Sequence, residues 1–167
     1  MQKIRDHFLK WRPRVFVIVT VFTLMVTDLL NCWYLKLYWE AKNYSSLFVR
    51  LSLARSGLGV GDFNPDTLKE MMGFLNNTFN FFLLIILVNN FFFYFFYLRK
   101  RLWAQSFVAF YTMTAGLFSL TLLFDTGGLG ATWFTYNLFT IPLYLYLFFG
   151  VRALKPETTI DRRKNRR

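Results

Sequence analysis

Four long apolar stretches, at about 15–35, 72–97, 103–124 and 131–151, carry this chain, and polar side chains break each of them at helical spacing. An α-helix needs about 20 apolar residues to cross the hydrocarbon core of a bilayer, so each stretch predicts one crossing. The expected fold is all-α, a four-transmembrane-helix bundle forming a single membrane domain over 1–167. The second stretch, Met72 to Tyr97, contains nine phenylalanines and no charge, and Asn76, Asn77, Asn80, Asn89 and Asn90 interrupt it. At the helical turn angle Asn76, Asn80 and Asn90 fall on one stripe, with Leu83 and Leu87 between them. Amides on that stripe predict protein, water or ligand as the neighbour rather than lipid.

The other spans have stripes of their own. In the first, Thr20, Thr27, Asn31 and Tyr34 share a side, with Asp28 on its flank. The third presents Gln105, Ala109, Thr112, Gly116 and Ser119, a small and polar face that lets another backbone approach closely. Ala109, Gly116 and Ser119 are accordingly expected at a helix contact, within the protomer or in a homo-oligomer. The fourth places Asn137, Thr140 and Tyr144 together, and its Pro142 is expected to bend the helix or free a carbonyl.

Between the first two spans lies a loop, 36–71, in which Tyr44 to Arg55 predicts a short surface helix with Leu47, Leu51 and Ala54 on one face. Gly57, Gly59 and Gly61 end it, and Asn64 or Asp66 is placed to cap the next helix. Pro13 suits the first turn of the first span. The glycines of the loop are followed by no Lys-Ser or Lys-Thr and follow no strand, which excludes a phosphate loop.

Charge orients the bundle. Of the twenty Lys and Arg residues, fifteen lie at the N-terminus, at Arg99 to Arg101 and in the tail 152–167. The loop 36–71 carries five basic and four acidic residues. The positive-inside rule then puts both termini in the cytoplasm and the loop outside, in a multi-pass integral membrane protein. The same placement makes anionic lipid headgroups, rather than nucleic acid, the expected partner of the net charge of +11. Cys32 stands alone, which excludes an intrachain disulfide, and His7 is the one histidine, which excludes a histidine metal cluster. No small-residue cleavage site follows the first span, so it is read as uncleaved.

Candidate chemistry concentrates on Asp28. A carboxylate inside a span costs about 2.5 kcal/mol or more, and no Lys, Arg or His within the four spans offsets it. Asp28, Asn31, Asn76, Asn80 and Asn137 fall at similar depth and are expected to form an ion pathway or polar intramembrane site, with Asn90, Gln105, Thr112, Asp125 and Tyr144 as secondary candidates. A small oligomeric cation channel is the function this pattern predicts, Asp28 selecting charge and the amides replacing the ion's water. The alternatives are a hydrophobic-ligand or lipid-binding protein, an intramembrane hydrolase using the aspartate pair Asp28 and Asp125, and an accessory subunit of a membrane complex.

Short motifs bear on two of these. Asp28 in Val-Thr-Asp-Leu-Leu, the segment 42–48, Leu123-Phe124-Asp125 and Tyr136-Asn137-Leu138 resemble the ordered motifs of the lipoprotein signal peptidase family, which implies four spans and an aspartate pair. Where that family's second catalytic aspartate would follow Asn137, this chain has Leu138, Phe139 and Thr140, so the resemblance does not carry the chemistry. Asp28, the Tyr111-Thr112-Met113-Thr114 region, Pro142 and the basic tail are similar to four-span sterol-isomerase-related and sigma-two-receptor-like proteins. That resemblance implies a pocket for a hydrophobic ligand, walled by aromatic rings with a few converging amides.

Overall fold

A computed structural model describes residues 2–124 and 130–154. Among the described residues six α-helices follow one another: α1 (Gln2–Leu9), α2 (Pro13–Ala41), α3 (Tyr44–Arg55), α4 (Pro65–Leu98), α5 (Leu102–Phe124) and α6 (Gly130–Ala153). A single 3-10 turn, Val60–Asp62, precedes α4. Helices α2, α4, α5 and α6 are each long and apolar enough to cross a membrane, and together they make an all-α four-helix bundle. The chain is a multi-pass membrane protein.

The helix boundaries follow local chemistry. Pro13 opens α2, where its missing N–H is no loss, and Pro65 does the same for α4. Asn64 caps α4 by accepting a hydrogen bond from the Asp66 N–H at 3.1 Å. Between α2 and α3 the chain turns at Asn43, whose φ of 50° is a left-handed value that asparagine tolerates. At the end of α4 the Lys100 N–H reaches the Tyr97 carbonyl at 2.9 Å and the Arg101 N–H the Phe96 carbonyl at 3.1 Å. This is a Schellman closure with Lys100 in the left-handed position, φ 58°, that glycine fills without steric cost. Lys100→Gly is therefore expected to stabilise the protein by about 1 kcal/mol, read as a rise in the thermal midpoint in detergent. A fall would mean that the Lys100 side chain contributes more than the backbone strain costs.

The packing has two unlike ends. At the α1 end a continuous core forms from Phe8, Phe16 and Leu24, from Tyr94 and Tyr97, and from Val108, Tyr144 and Val151. Burial on α2 runs Phe16, Thr20, Val21, Leu24, Thr27 and Asp28, the period of one helical face. Ring contacts join α4 to α5 here: Phe93 stacks on Phe107 with centroids 3.6 Å apart, and Trp103 meets the Phe93 and Phe96 rings at 5.4 and 5.0 Å. The closest helix pair is α5 with α6, where Gly116 lies against the Tyr144 Cβ and Ser119 meets Thr140. The small face of the third span thus packs inside the protomer. Gln105 donates to the Val151 and Leu154 carbonyls at 2.6 and 3.1 Å, closing the end of α6.

Toward the opposite end, where α3 lies, α4 leans on α2 and α3. Trp39 stacks on Phe79 at 4.2 Å and on Phe48 at 5.7 Å. In α3 the buried positions are Ser45, Val49 and Leu53, while Leu47 and Leu51 are exposed. The apolar face of the expected surface helix, Leu47 with Leu51 and Ala54, is the open one, and Val49 and Leu53, which lie off that face, turn toward the bundle. An apolar helix face beside a bilayer needs no protein partner, so its apolar residues do not reveal which side meets the bundle.

Candidate functional site

Asp28 sits at mid-length of α2, 2% exposed, at the upper limit of the core. Three donors from two other helices close on its carboxylate. The Asn90 amide donates to Oδ2 at 3.0 Å, the Tyr94 hydroxyl donates to the same oxygen at 2.7 Å, and the Tyr111 hydroxyl donates to Oδ1. Asn90 and Tyr94 are one turn apart on α4, so they reach the acid from a single face. The carboxylate thereby ties α2 to α4 and α5 without a cationic partner.

A second cluster lies one turn further along α2. Asn31 donates through Nδ2 to the Tyr144 hydroxyl at 2.8 Å, and its Oδ1 accepts from the Tyr136 hydroxyl at 2.8 Å. Tyr136 and Tyr144 are two turns apart on α6, which brings both to the same asparagine. Each side of the Asn31 amide is used, and the link joins α2 to α6.

Above Asp28 the helices part. A cavity of about 250 Å³ opens there, with Asp28, Asn31 and Cys32 from α2, Leu83, Ile86 and Asn90 from α4, Tyr111, Ala115 and Phe118 from α5, and Trp133 from α6 in its walls. Ile86 and Phe118 are 48% and 52% exposed on the two flanking helices. Both stand within the apolar parts of α4 and α5. The interior end is polar and the walls are apolar. Trp133 is held by Tyr34 and Tyr136, with ring centroids at 4.6 and 5.9 Å. Its indole N–H is buried and has no hydrogen-bond partner among the described residues.

The expected site residues divide among these places. Asp28 and Asn31 line the cavity, and of the other expected residues Asn90 and Tyr144 take part in their networks, which Tyr111 joins. Asn76 is remote, accepting from the Trp39 indole at 2.7 Å near α3. Asn80 is exposed. Asn137 is buried but donates to the Trp133 carbonyl of its own helix at 3.0 Å. Thr112 bonds the Val108 and Ala109 carbonyls, again within its helix. Asp125 lies outside the described residues, as do the turn 125–129 and the tail 155–167. Among the described residues no group of three or more His, Cys, Asp and Glu side chains could hold a metal ion.

Sequence reasoning included Tyr144 but missed Tyr94, Tyr111 and Tyr136 as hydrogen-bond donors, and Trp133. Tyr94 and Tyr136 read as aromatic bulk among many rings, although each lies on the same helical face as a polar residue that the site uses. Counting tyrosine as a buried hydrogen-bond donor would have found them. Comparison with protein-family models, with curated proteins and with solved structures gives no match for this chain.

Proposed function

We propose that this membrane protein binds a hydrophobic, lipid-like ligand in the cleft between α2, α4 and α5. The observation that carries the reading is the shape and chemistry of the cavity: a mouth flanked by exposed apolar residues at membrane depth, apolar walls, and a floor of convergent polar groups. Those are the attributes of a small-molecule site, concave and mostly apolar with a few placed polar groups that fix orientation. A ligand enters from the bilayer, past Ile86 and Phe118, without crossing water.

The same arrangement weighs against the cation-channel reading as the better of the two. A conducting path asks for Asp28 with Asn31, Asn76, Asn80 and Asn137 along one route, and Asn76 and Asn80 stand elsewhere. Both oxygens of Asp28 accept hydrogen bonds from the chain itself, which supports a closed polar floor more than a carboxylate ring around an oligomer axis.

Ala115, half-buried in the cavity wall, provides the test. A diazirine-bearing acyl probe in liposomes is expected to label the lips at Ile86 and Phe118 above the level of the lipid-facing Phe22 and Phe139, both well exposed. Ala115→Trp fills the cavity and should remove the excess labelling while leaving the background on Phe22 and Phe139. Uniform labelling of all four positions defeats the proposal. Cation flux through the wild-type protein in the same liposomes, abolished by Asp28→Asn, would favour the channel instead.

A further inference from the structure

The corner between α1 and α2 holds a second cavity, of about 310 Å³, at the end of the bundle away from the cleft. His7, Lys10, Trp11, Arg12 and Val15 line it, and among the described residues no acidic side chain does. Backbone bonds fix the corner: the Lys10 N–H reaches the His7 carbonyl at 3.3 Å and the Trp11 N–H the Phe8 carbonyl at 3.0 Å. Two of the rings are held from behind. His7 shares a hydrogen bond of 3.3 Å with the Tyr146 hydroxyl, and Trp11 meets the buried Phe16 edge to face, with centroids 6.0 Å apart. Lys10 and Arg12 are exposed, and among the described residues neither pairs with a carboxylate. Two cations without a partner, on an ordered turn beside an aromatic ring, fit a phosphate: Arg12 offers a planar fork of donors and Lys10 a point charge.

The surface next to the cavity indicates what the phosphate is attached to. Val15 belongs both to the cavity wall and to the start of the apolar run of α2. Ile18 and Val19 follow it at i+3 and i+4, so the three exposed side chains form one apolar stripe that leads from the cavity into the span. A soluble anion makes no use of that stripe, whereas an acyl chain covers it. We infer that the α1–α2 corner is a binding site for an anionic phospholipid, with the phosphate on Lys10 and Arg12, the glycerol region against Trp11, and an acyl chain along Val15, Ile18 and Val19. Tryptophan suits the headgroup level, where one side of the ring is apolar and the other wet. A phosphocholine headgroup would bring its ammonium toward the same two cations, so the corner favours a headgroup of net negative charge. The inference is independent of the cleft. The basic turn between α4 and α5 differs in that Arg99 lies over the Phe95 ring, 4.3 Å from its centroid.

Phosphatidylglycerol and phosphatidylcholine probes with the same acyl chains, each carrying a diazirine near the glycerol, provide the test. Each is used at trace level in phosphatidylcholine liposomes holding the full-length protein. Leu102, exposed beside the turn Arg99 to Arg101, reports the diffuse attraction of a basic flank. The phosphatidylglycerol-to-phosphatidylcholine labelling ratio is expected to be higher at Val15 and Ile18 than at Leu102. A Lys or Arg at the headgroup level is worth about five-fold in lipid binding, so Lys10→Gln and Arg12→Gln should each lower the ratio at Val15 by about that factor and leave it unchanged at Leu102. In the wild type, unlabelled phosphatidylglycerol should compete saturably at Val15, and at Leu102 only in proportion to dilution of the probe. Excess glycerol 3-phosphate should leave the labelling of Val15 in place. Its displacement of the probe would assign the corner to a soluble phosphate and overturn the lipid. Equal ratios at Val15 and Leu102, or competition at Val15 that does not saturate, would reduce the corner to diffuse charge and overturn the site. Absence of labelling at Val15 by either probe would mean that another protein surface covers the stripe, which overturns it as well.

Discussion

Gly150→Ala is expected to destabilise the α1 end of the bundle by about 1–3 kcal/mol, the usual cost of overpacking a filled core. A Cβ at position 150 would overlap the Phe16 Cζ and lie 2.8 Å from the Phe8 Cε1. Both rings are 2% exposed, and they meet edge to face at 5.6 Å, so neither has free space to retreat into. Phe8 is the residue through which α1 enters the core. The substitution should therefore lower the thermal midpoint and raise the susceptibility of α1 to protease. Combining it with Phe16→Ala tests the contact itself. Phe16→Ala alone costs about 3–5 kcal/mol, but it removes the obstructing ring, so the double variant should lose less than the sum of the two losses. Strict additivity would show that the methyl group at 150 does not press on Phe16.

Asp28→Ala is expected to cost more still, about 3–5 kcal/mol, although the side chain has no salt bridge to lose. The alanine would strand the Asn90 amide and the Tyr94 and Tyr111 hydroxyls together, and each buried donor left without an acceptor costs about 1–3 kcal/mol. Asp28→Asn keeps one acceptor oxygen and replaces the other by a donor that opposes one of these groups, so its cost should be intermediate. Tyr111→Phe removes a single bond and leaves one acceptor lone pair unfilled, and should cost least, about 1 kcal/mol. Unfolding in detergent of the three variants should give that order. Equal stability of Asp28→Ala and the wild type would mean that the three donors find other partners.

Asp28 was conspicuous in the sequence because a carboxylate between apolar runs is costly wherever it points. Helical periodicity also placed Asn90 and Tyr144 on faces turned toward other helices. It could not place Asn76, which shares the stripe of Asn90 but ends beside Trp39, because a stripe records direction and not the neighbour at each depth. The four spans were legible for the same reason that their packing was not. Membrane helices expose as much apolar surface to lipid as to protein, so Phe22 and Phe16 read alike, yet one is 68% exposed and the other 2%. The cleft is assembled from residues of α2, α4, α5 and α6, and no local pattern encodes a cavity shared among four helices.

The polar links of α2 span long distances along the chain. Asp28 is 62 residues from Asn90, 66 from Tyr94 and 83 from Tyr111, while Asn31 is 105 from Tyr136 and 113 from Tyr144. A ribosome adding about 5–20 residues per second delivers the first of these partners on the order of 3 to 12 s after Asp28 itself. Through that interval the first span holds a carboxylate that nothing in the nascent chain can receive. The hydrogen bonds of Asp28 therefore cannot form before α4 and α5 are made, and those of Asn31 not before α6, so the polar groups of the first span are satisfied only as the bundle is completed.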